Sequence, residues 1–474
     1  MISNRRPPPA HLRSALKRWD ARILDPASTP SGREPSAATA YRNGRLIVNC
    51  TDRGSDERVR AVLNEVLARR NWIADHQPSR VLLRPATSAA EPVDSWAVVA
   101  EMRAHHDSEV AAGVGLDHLL TAAEQFGGNP FALGHGRVGM DQYGAGGYGG
   151  RGPVNVVLPA PVARRNARRP RIIVLDTGIG DHPWFRTFPA QTTLMLADGT
   201  IVGPQIDPAS IKGIDADGSG AIAHPLLGAL ASHAGHGTFI AGLIRQACPD
   251  ADIVALAVMG SDGMVAESTL TDALDLIATK QREQPGWADA LVLSLGYYAE
   301  SDRDLAYNTK LKNVLLALGR LGIAVFCAAG NDASTRPSYP AAFARHPEFA
   351  DPEVVPLSSV AALNPDGTVA LFSNDGPWVT AQALGVNLVS TVPVDIEGSR
   401  GSGIRTLDAG GRYRGGQDPD DLGSGFASWS GTSFAAPVLA GQYLQALAKA
   451  GFPPIRQRRG LVPIGGPAAN SAVV

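Results

Sequence analysis

The chain has 474 residues, 44% of them hydrophobic and 19% charged, enough for a large globular domain with a substantial core and a smaller domain besides. A formal net charge of −2 gives no general pull towards nucleic acid or an anionic membrane, and no window approaches the roughly 18 apolar residues that cross a bilayer. Three cysteines, Cys50, Cys248 and Cys327, are too few for a disulfide framework and read as free thiols. With no apolar run behind Met1 of the kind that marks a secretory signal, these features favour a reducing, cytoplasmic setting.

Residues 1–40 are rich in Pro, Ser, Ala and Arg without periodicity and are expected to be disordered. Residues 41–127 read as a small α/β domain. Arg45–Cys50 is an apolar strand, and a helix follows with Ser55 as N-cap and Val59, Val62, Leu63, Val66 and Leu67 on one face. Arg80–Arg84 and Trp96–Met102 are strand-like, and Leu116–Phe126 has helical spacing. Residues 128–168 form a Gly/Arg-rich linker. Its Gly134-His135-Gly136-Arg137-Val138-Gly139 matches a dinucleotide-binding spacing but has neither the preceding strand nor the following helix that such a site requires.

From Arg169 the pattern changes. Ile172–Leu175, Ile253–Val258, Leu291–Leu295, Ile323–Ala328 and Val354–Ala362 are short apolar strands. Thr238–Cys248, Leu270–Gln281, Asn308–Leu321 and Ser433–Ala450 are helical stretches among them. Continuous apolar strands alternating with helices predict an α/β fold, a mostly parallel sheet with helices on both faces, over 169–452. Ligands in such folds bind beyond the carboxyl ends of the strands. Residues 453–474 are expected to form a disordered tail.

Four segments carry chemistry. Asp176 closes the Ile172–Leu175 strand. His236 opens a helix between two glycines, which let a substrate approach the imidazole. Asn331 follows Ala328-Ala329-Gly330 at another strand end. Ser433, in Gly431-Thr432-Ser433, opens an Ala-rich helix whose N-terminus stabilises developing negative charge. Taken singly, each has an ordinary explanation as a turn or capping residue. Together they supply an acid, a base, an oxyanion donor and a nucleophile, each in the local context its task requires.

These segments resemble the signatures of the subtilisin-like serine peptidases, the subtilase family, in which the order of the three residues is Asp, His, Ser. The match runs from Asp176-Thr177-Gly178 and His182-Pro183, through His236-Gly237-Thr238, to Gly431 through Pro437. Phe239 stands where a second histidine is common, and Leu384 where a proline is usual. The resemblance implies a subtilisin-like fold and a serine endopeptidase with Ser433 as nucleophile, His236 as base, Asp176 as its orienting carboxylate and Asn331 in the oxyanion hole. It implies that Ser294-Leu295-Gly296 pairs with substrate backbone, with Ala328-Ala329-Gly330 as the opposite wall of the pocket and Ser338 as its floor.

The resemblance also implies a peptide or protein substrate, no required cofactor and optional structural calcium; no metal ligands are assigned, although Asp215-Ala216-Asp217-Gly218 has the start of a calcium loop. The N-terminal domain is read as pro-domain-like or regulatory. Alternatives are a protease or transpeptidase dedicated to one precursor peptide, and an inactive protease-like binding protein. Oligomeric state is left open.

Overall fold

The computed structural model describes residues 16–24, 37–50, 52–87, 91–122, 151–152, 154, 156–163, 168–185, 194–195, 201–202, 222–224, 229–260, 262–301, 309–398, 405–416 and 421–463. The chain forms two compact units. The first comprises Met1–Leu120, Ala266–Thr271 and Tyr297–Val314; the second comprises Thr121–Val265, Asp272–Gly296 and Leu315–Val474.

In the first unit, β1 (Ala21–Ile23) pairs antiparallel with β2 (Ala40–Val48). Helix α1 (Arg53–Ala68) is followed by β3 (Trp72–His76) and β4 (Arg80–Pro85), and helix α2 (Ser95–His105) by β5 (Val114–Thr121). The strands form an antiparallel sheet in the order β5-β2-β4-β3. Val59, Leu63, Val66 and Leu67 of α1 and Val98, Val99 and Met102 of α2 are buried with Leu46, Val48 and Leu116 of the sheet. Burying those apolar faces together is what stabilises so small a unit.

Several local readings are corrected here. The α1 cap is Asp52, whose carboxylate accepts from the Ser55 N–H at 2.9 Å, so Ser55 lies inside the helix. Trp96–Met102 is helical, started by the Asp94 carboxylate accepting from the Trp96 N–H at 2.9 Å. The first part of Leu116–Phe126 is strand β5, every residue of which is buried; a strand covered on both faces loses its alternation and mimics helical spacing. Stretches expected to be disordered also contain order: β1 lies within 1–40, and residues 455–461 are helical. Arg459 ties that tail down by donating to the carbonyls of Phe349, Asp351 and Val354.

The second unit is built on six parallel strands. These are β6 (Arg171–Asp176), β7 (Asp252–Ala257), β8 (Ala290–Leu293), β9 (Ala324–Ala328), β10 (Leu357–Leu363) and β11 (Ala381–Leu384). Their order is β7-β6-β8-β9-β10-β11, each parallel to its neighbour. All residues of β8, β9 and β10 are buried, and because successive side chains point to opposite faces, both faces are covered. The chain leaves β6 for β7 on one side and returns to β8 on the other, which puts a topological switch point at the carboxyl ends of β6 and β8.

Helix α3 (His236–Ala247) and the long α4 (Thr432–Lys449) pack into the same core, with Phe239, Ile240, Phe434, Leu439 and Tyr443 fully buried. A two-stranded ribbon, β12 (Leu388–Thr391) with β13 (Phe426–Trp429), precedes α4.

Candidate active site

Asp176 is the last residue of β6, at the switch point, and is fully buried. Its carboxylate accepts from His236 Nδ1 at 2.8 and 3.0 Å through its two oxygens, and from the Thr177 N–H at 2.7 Å. His236 is the first residue of α3. Thr177 Oγ1 accepts from the Gly237 N–H at 2.9 Å, stapling the helix start to the strand end. Gly237 has to be glycine: a Cβ there would lie 2.3 Å from the Gly178 carbonyl oxygen. With Nδ1 committed to a carboxylate it carries the proton, and Nε2 keeps its lone pair.

The imidazole stands among aromatic rings, with centroids 5.4 Å from Trp429 and 5.2 Å from Phe434. Trp429 is braced in turn by Arg151, whose guanidinium lies 5.0 Å from its ring centroid and donates to the carbonyls of Ala231 (2.7 Å) and Ala234. Arg151 belongs to the stretch read as a linker, yet it is buried, and Gly152 pairs with Ser428 of β13.

Ser433 is the second residue of α4, one position before Phe434, and is buried. Its Oγ has no hydrogen-bond partner among the described residues, so the nucleophile–base bond expected from the sequence is not made in this state. The position of Ser433 is set from elsewhere. Pro437, four residues on, has no N–H to offer the Ser433 carbonyl, and the Ser294 hydroxyl donates to that carbonyl instead, at 2.8 Å. Asn331, beyond the end of β9, accepts through Oδ1 from the N–H (2.8 Å) and hydroxyl (2.9 Å) of Thr432. Both acceptor bonds fall on one end of the amide, which leaves Nδ2 as its donor end beside Gly431. Gly330 donates to Thr432 Oγ1 at 3.0 Å.

Ser294, Leu295, Ala328, Ala329 and Ser338 are all buried. A Cβ on Gly296 would lie 2.7 Å from Ser338 Oγ, so the expected edge and floor of the pocket are in contact. The Gly296 edge is occupied by the chain itself. Thr121 donates to the Gly296 carbonyl at 2.9 Å and accepts from its N–H at 2.8 Å, and the Ala122 N–H donates to the Gly263 carbonyl at 2.9 Å. His233 was not singled out in the sequence, although it lies only three residues before His236, in the turn that leads into the helix; its Nε2 is 3.0 Å from the Ala122 carbonyl oxygen.

Among the described residues no group of three or more His, Cys, Asp or Glu is arranged to hold a metal ion; Asp215–Gly218 lies outside them. The glycine run at 134–139 lies outside them as well. No helix among the described residues is long and apolar enough to cross a membrane.

A strand-end carboxylate is thus bonded to a helix-start imidazole, and the ring of Phe434, the residue after the helix-start serine, lies 5.2 Å from that imidazole. The family model for the subtilase family matches residues 168–458, and the chain belongs to that family. It is 25% identical over 280 residues to subtilisin BL of Lederbergia lenta, covering 57% of this chain and 73% of that protein. It is 29% identical over 253 residues to mycosin-4 of Mycobacterium tuberculosis, covering 47% of this chain and 50% of that one. The solved structure of fervidolysin from Fervidobacterium pennivorans, described as a keratinolytic enzyme related to subtilisin, superposes with a TM-score of 0.50 at 15% identity. That match covers 92% of this chain and 60% of fervidolysin, and shows a shared fold. The chain thus spans about three-quarters of subtilisin BL, half of mycosin-4 and three-fifths of fervidolysin. The fold is subtilisin-like, and the family is one of serine proteases acting on peptide or protein substrates.

These relatives overturn the expected cytoplasmic setting. Subtilisins are secreted, extracellular proteases, and three free thiols, two of them buried, are compatible with that setting as well.

Proposed function

We propose that the chain is a serine endopeptidase in which Ser433 attacks the scissile carbonyl, His236 moves the proton and Asp176 orients the imidazole. The observation that carries this reading is the pair of bonds from the Asp176 carboxylate to His236 Nδ1, at 2.8 and 3.0 Å in a buried site. They leave Nε2 as the acceptor for a hydroxyl proton and stabilise the imidazolium that then forms.

As the Ser433 oxygen bonds to the substrate carbonyl carbon, its proton passes to Nε2 and negative charge collects on the carbonyl oxygen. Asn331 Nδ2 and the Ser433 N–H, at the positive end of α4, are the donors for that oxygen. Collapse breaks the C–N bond, and Nε2 returns the proton to the departing amine. Water then repeats the cycle: its proton passes to Nε2 as its oxygen bonds to the acyl carbon, and when the bond from that carbon to Ser433 breaks, Nε2 returns the proton to the Ser433 oxygen and the acid is released. In this mechanism the Ser433–His236 hydrogen bond forms as the substrate carbonyl reaches Ser433, since catalytic hydrogen bonds tighten in the Michaelis complex.

The reading is tested with denatured casein. Ser433→Ala is expected to lose turnover by about 10⁶-fold while keeping its far-UV circular dichroism. A folded Ser433→Ala chain that still degrades casein would overturn it.

A further inference from the structure

We propose that His233 is a substrate-binding residue, whose Nε2–H holds the main-chain carbonyl of the substrate residue immediately before the scissile one. The proposal rests on the hydrolase reading above. It starts from Thr121 and Ala122, which run along the Gly296 edge through main-chain bonds alone: two between Thr121 and Gly296, one from Ala122 to Gly263. Such pairing suits any extended peptide, because backbone groups recognise backbone groups.

The antiparallel register identifies what these two residues stand for. With Thr121 opposite Gly296, a peptide in the same register has the residue two positions further on opposite Ser294. The Ser294 hydroxyl is bonded to the Ser433 carbonyl, so that residue is the one presented to the nucleophile. Ala122 therefore marks the position just before it, and its carbonyl is the group His233 meets, at 3.0 Å. Ala122 is fully buried, which restricts this position to small side chains.

His233 is built for a donor role. A carbonyl oxygen can only accept, so the contact with Ala122 needs the hydrogen on Nε2; in that tautomer the Ser232 hydroxyl, 2.8 Å from Nδ1, donates to the ring, which the Asp262 main chain also contacts. Burial, then the neighbouring His236, push the His233 pKa down to about 3, so the ring stays neutral. Its ring centroid is 5.3 Å from that of His236. Gly263 adopts φ +73°, and a Cβ there would lie 2.3 Å from His233 Nδ1. The imidazole thus fills the space a side chain would need, and the rim that receives the Ala122 N–H is also the one that seats the histidine.

The test compares two p-nitroanilide peptides on the full-length chain. One copies the sequence Leu-Thr-Ala-Ala of residues 120–123; in the other, the carbonyl of the first of those alanines is reduced to methylene. The chain's own Thr121–Ala122 competes equally with both, so it cancels from the ratio of their kcat/KM values. In His233→Leu this preference is expected to shrink about tenfold, the weight of one hydrogen bond of ordinary strength, with KM carrying most of the change. His233→Gln, which can still donate, is expected to restore it. If His233→Leu no longer reacts with a fluorophosphonate, His233→Asn, too short to reach the carbonyl, replaces it with the same expectation. An unchanged ratio in the non-donating variant overturns the role of His233, whereas absence of Ser433-dependent turnover of both peptides by the wild-type chain overturns the hydrolase reading beneath it.

Discussion

Two buried histidines, one in each compact unit, meet carboxylates in opposite ways. In the second unit His236 gives only Nδ1 to Asp176. In the first, His118 is held at both nitrogens: Nδ1 is 2.6 Å from Glu267 and Nε2 is 2.8 Å from Glu300. Glu300 also accepts from Arg103 at 2.8 Å, and the His118 ring stacks on Tyr297 with centroids 4.4 Å apart. Asp117 of the same strand accepts from Ser268 and lies 3.9 Å from Arg42. An imidazole facing two carboxylates has to donate twice, so His118 is a fixed cation that neutralises buried charge. An imidazole facing one carboxylate keeps a lone pair for chemistry. Under the proposed mechanism, what separates the structural histidine from the proton carrier is whether the second nitrogen is already committed.

The largest expected effect breaks the contrast on the catalytic side. Asp176→Asn keeps the shape of the site but offers Nδ1 a donor as well as an acceptor, so the tautomer control that separates His236 from an idle imidazole is lost. Turnover of a peptide substrate is expected to fall roughly 10⁴-fold with little change in KM. A loss below tenfold in steady-state kinetics would show that the Asp176–His236 bond does not prepare the base.

A smaller effect sharpens the contrast on the structural side. Burial alone would lower the His118 pKa, but the facing Glu300 and Glu267 overcome it and raise it well above the ordinary histidine value. A group raised on folding contributes stability that is complete below its unfolded pKa, about 6.5, and is lost as pH rises through the folded one. The thermal midpoint of the chain is therefore expected to fall as pH climbs above about 6.5, by at most about 1.4 kcal/mol of stability per pH unit from this one group. Replacing His118→Gln together with Glu267→Gln removes the cation and one of its anions at once, and is expected to flatten that slope. Equal slopes for wild type and double variant in a pH series of melting curves would place the alkaline sensitivity elsewhere.

The Asp176–His236 pairing in this comparison was legible in the sequence and the His118 cluster was not. Asp176, His236 and Ser433 each sit in a short local signature, and strand ends and helix starts are set by neighbouring residues. His118, Glu267 and Glu300 are separated by 149 and 182 positions and share no motif. The same limit hid His233, whose partner Ala122 is 111 positions away, and the Ser294 hydroxyl that replaces the helix bond Pro437 cannot make. Short apolar runs failed for a different reason. Trp96–Met102 and Leu116–Thr121 fit either period, and only the Asp94 cap in one case and burial on both faces in the other distinguish helix from strand.

The assignment of Ser433 is tested most directly by treating the wild-type chain with a fluorophosphonate and locating the adduct by fragmentation mass spectrometry. A single adduct on the oxygen of Ser433, with Ser424, Ser428 and Ser430 of the same stretch unmodified, is the predicted result. A modified serine elsewhere, or none in a folded chain, would contradict the account.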